Sequence, residues 1–253
     1  MSSPLATLDV QGRVATLTLR REDARNALSI DLLDCVHRCA DDLASMSGVS
    51  VLVLTGSGRA FCAGMDLKAV LDDPAAPGRL LHCLADFTLK LRALPMVTLA
   101  SVNGAAIGGG CGLACVCDAA VTHADSKMGF PEVDLGVCPA VVAPWLVRKI
   151  GAGRARKVLL TGGLMSGADA HVLGIVDHCV RSVADLDGAT REIAQRLAQG
   201  GPQALRATKA LLNEIDGSRD ADTVRRGADL SASILATPET RAALAAKLGA
   251  RRP

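Results

Sequence analysis

Apolar and polar positions along this 253-residue chain follow two rhythms, one suited to buried strands and one to amphipathic helices. Leu5 to Val10 and Val14 to Leu19 read as two strands joined at Gln11-Gly12, the pattern of a hairpin. From Ile30, the apolar residues Leu33, Val36, Ala40 and Leu43 recur at helical spacing behind Ser29, a good N-cap. Val51-Leu52-Val53-Leu54 is a nearly continuous apolar run that stops at Thr55-Gly56. Such a run suits a strand covered on both faces, as in a parallel sheet flanked by helices. Pro95 precedes a second run, Val97 to Val102, closed by Asn103-Gly104. Ile175 to Val180 repeats the theme after a helix opened by Ser166 with Asp169 three residues on. Asp72 to Gly78, rich in Pro and Ala, reads as a mobile loop.

Strands therefore alternate with helices to about residue 182, which predicts an α/β core. Beyond that the strand signal stops. Residues 184–199, 202–215, 220–236 and 238–249 all read as helices, with Pro202 and Pro238 suited to first turns. The expected division is a core over residues 1–199 and a helical region over 200–253. Leu230, Ile234 and Leu244 are apolar positions that this tail must cover, against the core or a neighbouring subunit.

Composition narrows the function classes. Lys plus Arg is 28 against 26 for Asp plus Glu, so the net charge of +2 gives no electrostatic case for nucleic acid. Three Phe, one Trp and no Tyr leave little for base stacking or for sugar-binding aromatic surfaces. No apolar run approaches the ~18 residues of a membrane span. Met1-Ser2-Ser3-Pro4 lacks the basic and apolar regions of a signal peptide, so a cytoplasmic location is expected. Nine cysteines scattered through apolar segments fit buried, reduced thiols. Cys111, Cys115 and Cys117 lack zinc spacing, and no metal is expected.

Two strand-to-helix junctions carry the candidate chemistry. One is Thr55 to Leu67, containing Phe61-Cys62-Ala63-Gly64-Met65-Asp66-Leu67; the other is Asn103 to Ala114, containing Gly108-Gly109-Gly110. Glycines let backbone N–H groups approach a ligand, and helix N-termini attract negative charge. If the junctions share a pocket, one N–H from each would hold a developing enolate oxygen. Glu132, in Phe130-Pro131-Glu132, is a carboxylate that would move protons beside it.

These segments, with Arg25-Asn26-Ala27-Leu28 and Leu135-Gly136, resemble the crotonase family, also called the enoyl-CoA hydratase/isomerase family, over almost the whole chain. The resemblance implies a ββα spiral core with a C-terminal α-helical trimerisation region, and trimers or dimers of trimers. It implies an acyl-CoA thioester substrate, with no cofactor beyond the coenzyme A that the substrate carries. The oxyanion amides would be those of Met65 and Gly109, and Glu132 would be the catalytic carboxylate. The adenine and pantetheine contacts would fall on Arg25, Ala27, Ala63, Gly64, Asp66, Leu67 and Lys68, with Arg25 and Lys68 facing the CoA phosphates. Gly110, Gly112 and Ala140 complete the substrate-binding set.

One departure matters. Hydratases of the family use two glutamates, and where the first would stand this chain has Gly112. A single carboxylate suffices to take a proton from C2 and return it at C4, so isomerisation of a 3-enoyl-CoA to the 2-enoyl-CoA comes first. The segment Leu135 to Gly151 is similar to bacterial methylglutaconyl-CoA-type hydratases. That favours hydration of a branched 2-enoyl-CoA, with water held by backbone or by Asp134. A non-catalytic acyl-CoA binder and the thioester hydrolase or decarboxylase chemistries of this family are the remaining alternatives.

Overall fold

The computed structural model of the chain describes residues 4–66, 73 and 76–249. Strands β1 (Ala6–Gln11) and β2 (Val14–Leu19) form the expected antiparallel hairpin, shifted by one residue. β3 (Val51–Gly56), β5 (Val97–Val102), β7 (Ala119–His123) and β10 (His178–Val180) continue from β2 in parallel. The result is a six-stranded sheet in the order β1-β2-β3-β5-β7-β10. Four short strands, β4 (Ala60–Cys62), β6 (Ala105–Ile107), β8 (Lys127–Gly129) and β9 (Leu164–Ser166), form a second sheet in that order. Each turn of chain places one strand in the large sheet and the next in the small one, which is the ββα spiral.

The continuous apolar runs are explained by burial on both sides. Leu52, Leu54, Ala100 and Val102 face the main core with helix α1 (Ile30–Ser45) and helix α2 (Ala76–Ala93). Val51, Val53, Leu99 and Val121 face the other way, against Leu186 and Ala194 of helix Val183–Ala198. Ser29 caps α1, its side chain accepting from the Leu32 N–H at 3.2 Å.

The loop expected over Asp72 to Gly78 is corrected in its second half. Ala76, Pro77 and Gly78 open α2, which buries Leu80, Leu84, Phe87 and Leu91 on one face. Proline tolerates a first helical turn because its missing N–H has no partner there anyway. Asp72, Pro74 and Ala75 lie outside the described residues. The strand expected from Ile175 is reduced to β10, because Ile175 and Val176 are buried in the turn that ends helix Gly167–Leu173.

The tail forms helices Val183–Ala198, Pro202–Ile215, Ala221–Leu235 and Pro238–Gly249, within a residue of expectation. Helix Ala221–Leu235 packs on α2, burying Val224, Ala228 and Leu235, while Arg225 bonds Asp86 at 3.0 Å. Leu244 is buried within the chain, and Leu230 stays half exposed. Helix Pro202–Ile215 is fastened through buried Lys209, whose Nζ reaches Asp118 Oδ2 at 2.7 Å and the Met96 carbonyl at 2.9 Å. Among the described residues no helix is long and apolar enough to cross a membrane.

Candidate active site

Helix α3 (Gly109–Val116) is apolar on every side and buried from Gly110 to Val116, so its N-terminus is held by the core itself. Gly108 precedes it with φ +54°, donating its N–H to the Gly129 carbonyl at 2.8 Å and accepting from the Gly112 N–H at 2.9 Å. A Cβ on Gly108 would stand 2.7 Å from Glu132 Oε1. Only glycine tolerates both that φ and that carboxylate.

Met65 arrives from the other junction. Leu28 donates to the Gly64 carbonyl at 2.7 Å, and Asp66 donates to the Leu28 carbonyl at 2.9 Å. In a parallel bridge of this kind the central residue, Met65, turns its own N–H away from Leu28. Gly64, at φ +88°, lies so close to the second junction that a Cβ there would sit 2.6 Å from the Ile107 carbonyl and 3.8 Å from the Gly109 nitrogen. The Met65 segment and the Gly109 amide are thus neighbours. Gly110 packs its backbone on the Cys62 carbonyl, where a side chain would collide.

Glu132 follows β8 through Phe130, fully buried, and Pro131, and opens the short 3-10 turn Val133–Leu135. Its carbonyl accepts from Leu135 at 3.0 Å and Val137 at 2.8 Å, which fixes the backbone under the carboxylate. Oε2 is buried, and among the described residues it has no hydrogen-bond partner. Burial pushes the carboxyl pKa from its ordinary 4.5 up to about 7, offset in part by the residue's own backbone N–H. A buried polar atom without a partner is costly. A group poised near neutrality in such a place is a functional-site signal.

Gly112 faces Val142. A Cβ there would run into Val142 Cγ1 and stand 2.8 Å from Val142 Cβ. The space a side chain at this position of α3 would need is therefore filled by Val142, the N-cap of helix α4 (Ala143–Ile150). Local pattern gives no hint of this contact, since the two residues are thirty positions apart in sequence.

The remaining expected residues divide. Arg25 is exposed, at φ +52°, and its carbonyl accepts from the Ala63 N–H at 3.0 Å; the Ala27 carbonyl accepts from Arg21 at 3.1 Å. Asp66 pairs with Arg21 at 2.7 Å. Ala140 donates to Ser231 Oγ at 3.2 Å beneath helix Ala221–Leu235. Leu67 and Lys68 lie outside the described residues. Asp134, a candidate water holder, is exposed and accepts instead from the Gly163 N–H at 2.8 Å. Burial pushes the Cys62 and Cys117 thiols up to about 12 and raises Cys111, so these cysteines are packing residues. Among the described residues no three His, Cys, Asp or Glu side chains converge as metal ligands.

A separate apolar groove of about 1060 Å³ lies beside Val133, Cys138, Ala140, Val147 and Leu230. Its lining includes neither Met65 nor Gly109.

Known proteins bear on this arrangement. The family model described as enoyl-CoA hydratase/isomerase matches residues 9–247. A Thermus thermophilus protein, named provisionally as an enoyl-CoA hydratase, is 34% identical over 247 residues, covering 96% of this chain and 97% of its own. The Escherichia coli 2,3-dehydroadipyl-CoA hydratase is 34% identical over 205 residues, covering 81% of this chain and 80% of its own. The crystal structure of enoyl-CoA hydratase from Bacillus halodurans superposes with a TM-score of 0.89 over 96% of this chain and 99% of that one. At 21% identity that likeness speaks for the fold alone. With the spiral core, the paired junctions and a family match over nearly its whole length, the chain belongs to the enoyl-CoA hydratase/isomerase family.

Proposed function

We propose that this protein isomerises a 3-enoyl-CoA thioester to the 2-enoyl-CoA, with Glu132 as the sole carboxylate acid and base. The thioester carbonyl sits between the N–H groups of Met65 and Gly109. Glu132 takes the proton from C2, and charge spreads from the carbonyl oxygen through the dienolate. The same carboxyl returns the proton at C4, the double bond moves to C2–C3, and nothing is gained or lost. Each amide donor is worth about 3–4 kcal/mol when aimed at developing charge in a water-poor site. Arg25 and Lys68 bind the CoA phosphates, Ala27, Ala63, Gly64, Asp66 and Leu67 follow the adenine and pantetheine, and Gly110, Gly112 and Ala140 border the acyl group.

The observation that carries this reading is the filled face of α3 at Gly112. Hydration needs a second polar group to hold water, and the Gly112 face of α3 is filled by the Val142 side chain. Glu132 is left with a partnerless oxygen and a pKa near 7, suited to moving one proton both ways. The second reading, hydration of a branched 2-enoyl-CoA, is favoured by the hydratase names of the relatives. Assembly as a homotrimer or dimer of trimers is part of the proposal, supported by the exposed apolar residues Val147, Leu160 and Leu230.

Glu132→Gln tests the role. Turnover is expected to fall about 10³-fold, the range for a positioned acid–base, while the dissociation constant for a CoA ester stays within about threefold. Turnover unchanged in that variant would sink the assignment.

A further inference from the structure

We infer that Asn26 is the positioning residue for the Met65 amide, holding the oxyanion arm in place from outside the site. The inference rests on reading Met65 as an oxyanion donor. Asn26 is fully buried, and each of its side-chain bonds goes to backbone. Its Oδ1 accepts from the Arg21 N–H at 2.8 Å, while Nδ2 donates to the carbonyls of Ser57 at 3.0 Å and Ala60 at 2.8 Å. Those two carbonyls bracket the turn from β3 into β4, the strand that leads directly to Met65. Gly56 packs tightly in the same place, since a Cβ there would collide with the Ala60 and Phe61 carbonyls and stand 2.6 Å from Asn26 Nδ2.

The residues flanking Asn26 hold the other end of the same segment. Arg25 accepts from Ala63, and Leu28 bonds Gly64 and Asp66 on either side of Met65. Arg21, whose N–H the Asn26 amide accepts, closes the frame by pairing with Asp66 at 2.7 Å. Asn26 thus fixes the start of the β4 segment, together with Asn103, which bonds Gly56 and Gly58 in the same turn, while the backbone neighbours of Asn26 splint the end.

Backbone conformation points the same way. Arg25 and Asn26 have φ of +52° and +55°, the positive-φ residues other than glycine among those described. Such conformations persist where the surroundings over-determine them, and asparagine tolerates them better than most residues. The strained pair forms the turn that runs alongside the segment bearing Met65, with Asn26 itself buried.

The test reads the carbonyl directly. A 2-butenoyl-CoA isotope-labelled at its thioester carbonyl is bound to the protein, and the carbonyl stretch is followed by difference infrared spectroscopy. In the wild type the band moves to lower frequency than in free solution. Asn26→Gly keeps the left-handed backbone and loses all three side-chain bonds. Its kcat is expected to fall about 10- to 100-fold, the cost of a small misplacement, with KM within about threefold. The carbonyl band returns towards its free position. Arg21→Gln, which removes the Asp66 ion pair from an intermediate-exposure site, moves kcat and the band in the same direction by less. If Asn26→Gly does not fold, Asn26→Asp, which keeps an acceptor for the Arg21 N–H and loses the donors to Ser57 and Ala60, carries the test. A merely structural role lowers the melting temperature and leaves the band alone; a bound-state band at the wild-type position in whichever Asn26 variant folds overturns the inference. A wild-type band with no shift on binding overturns the oxyanion reading itself.

Discussion

At the scale of single residues, Glu132 sets the pH behaviour. Its carboxyl must be ionised to take a proton from C2, so kcat/KM is expected to rise with pH to a plateau with its midpoint near 7. A pH–rate profile with its limb near 4.5 contradicts the buried environment. Stability runs the opposite way. The folded pKa is raised, so between 4.5 and about 7 the folded chain keeps a proton that the unfolded chain has released. Stability therefore falls as pH rises through that window and levels off above it. Glu132→Gln is expected to match the wild type at about pH 4 and to exceed it by about 2–3 kcal/mol at about pH 8, read from urea midpoints. Glu132, Gly109 and Met65 stand out as candidates in sequence because each lies in a local motif. The bonds of Asn26 were not, because they reach residues 31 and 34 positions away.

At the scale of elements, α3 and the segment entering α4 decide what the site admits. Gly112 reads in sequence as an absence; in the fold it is a packed contact with Val142. Placing a carboxylate at 112 alone therefore overfills the core. Gly112→Glu is expected to cost about 1–3 kcal/mol in a denaturant titration, in the range of overpacked cores. Adding Val142→Gly should recover most of that loss, and only the double variant should add water to a 2-enoyl-CoA. Water addition by Gly112→Glu alone, at the rate of the double variant, contradicts the role given to Val142. The long elements were legible from period and caps, with Ser29 and Ser166 capping as expected. The short strands β4, β6, β8 and β9, three residues each, were not, because three residues cannot establish an alternation. Nor was α2, whose opening Ala-Pro-Gly imitates a loop.

At the scale of the molecule, the helical tail is joined to the spiral by charge as well as by apolar packing. Lys209 is desolvated between Asp118 and the Met96 carbonyl, and Arg92 links Asp118 at 3.2 Å to Asp216 at 2.6 Å. Breaking a buried pair leaves a charge uncompensated. Lys209→Met is expected to lower unfolding free energy by about 1–3 kcal/mol, since the Met96 carbonyl loses its donor and Asp118 keeps only Arg92 and Thr98, and a melting curve unchanged from wild type contradicts the network's importance. The α/β character and the all-helical tail were legible from the change of apolar rhythm, whereas this network joins residues from three distant stretches of chain and leaves no local trace.

The central claim, one carboxylate moving one proton without water, is tested most directly by the mass of the product. The protein is incubated separately with a 3-enoyl-CoA and with its 2-enoyl isomer, and the thioesters are resolved by chromatography and mass spectrometry. The account predicts that the 3-enoyl-CoA becomes the 2-enoyl-CoA at unchanged mass, that the 2-enoyl-CoA gains nothing beyond that equilibrium, and that Glu132→Gln abolishes the conversion. A Glu132-dependent product heavier by one water, formed from the 2-enoyl-CoA faster than isomerisation proceeds, would contradict it.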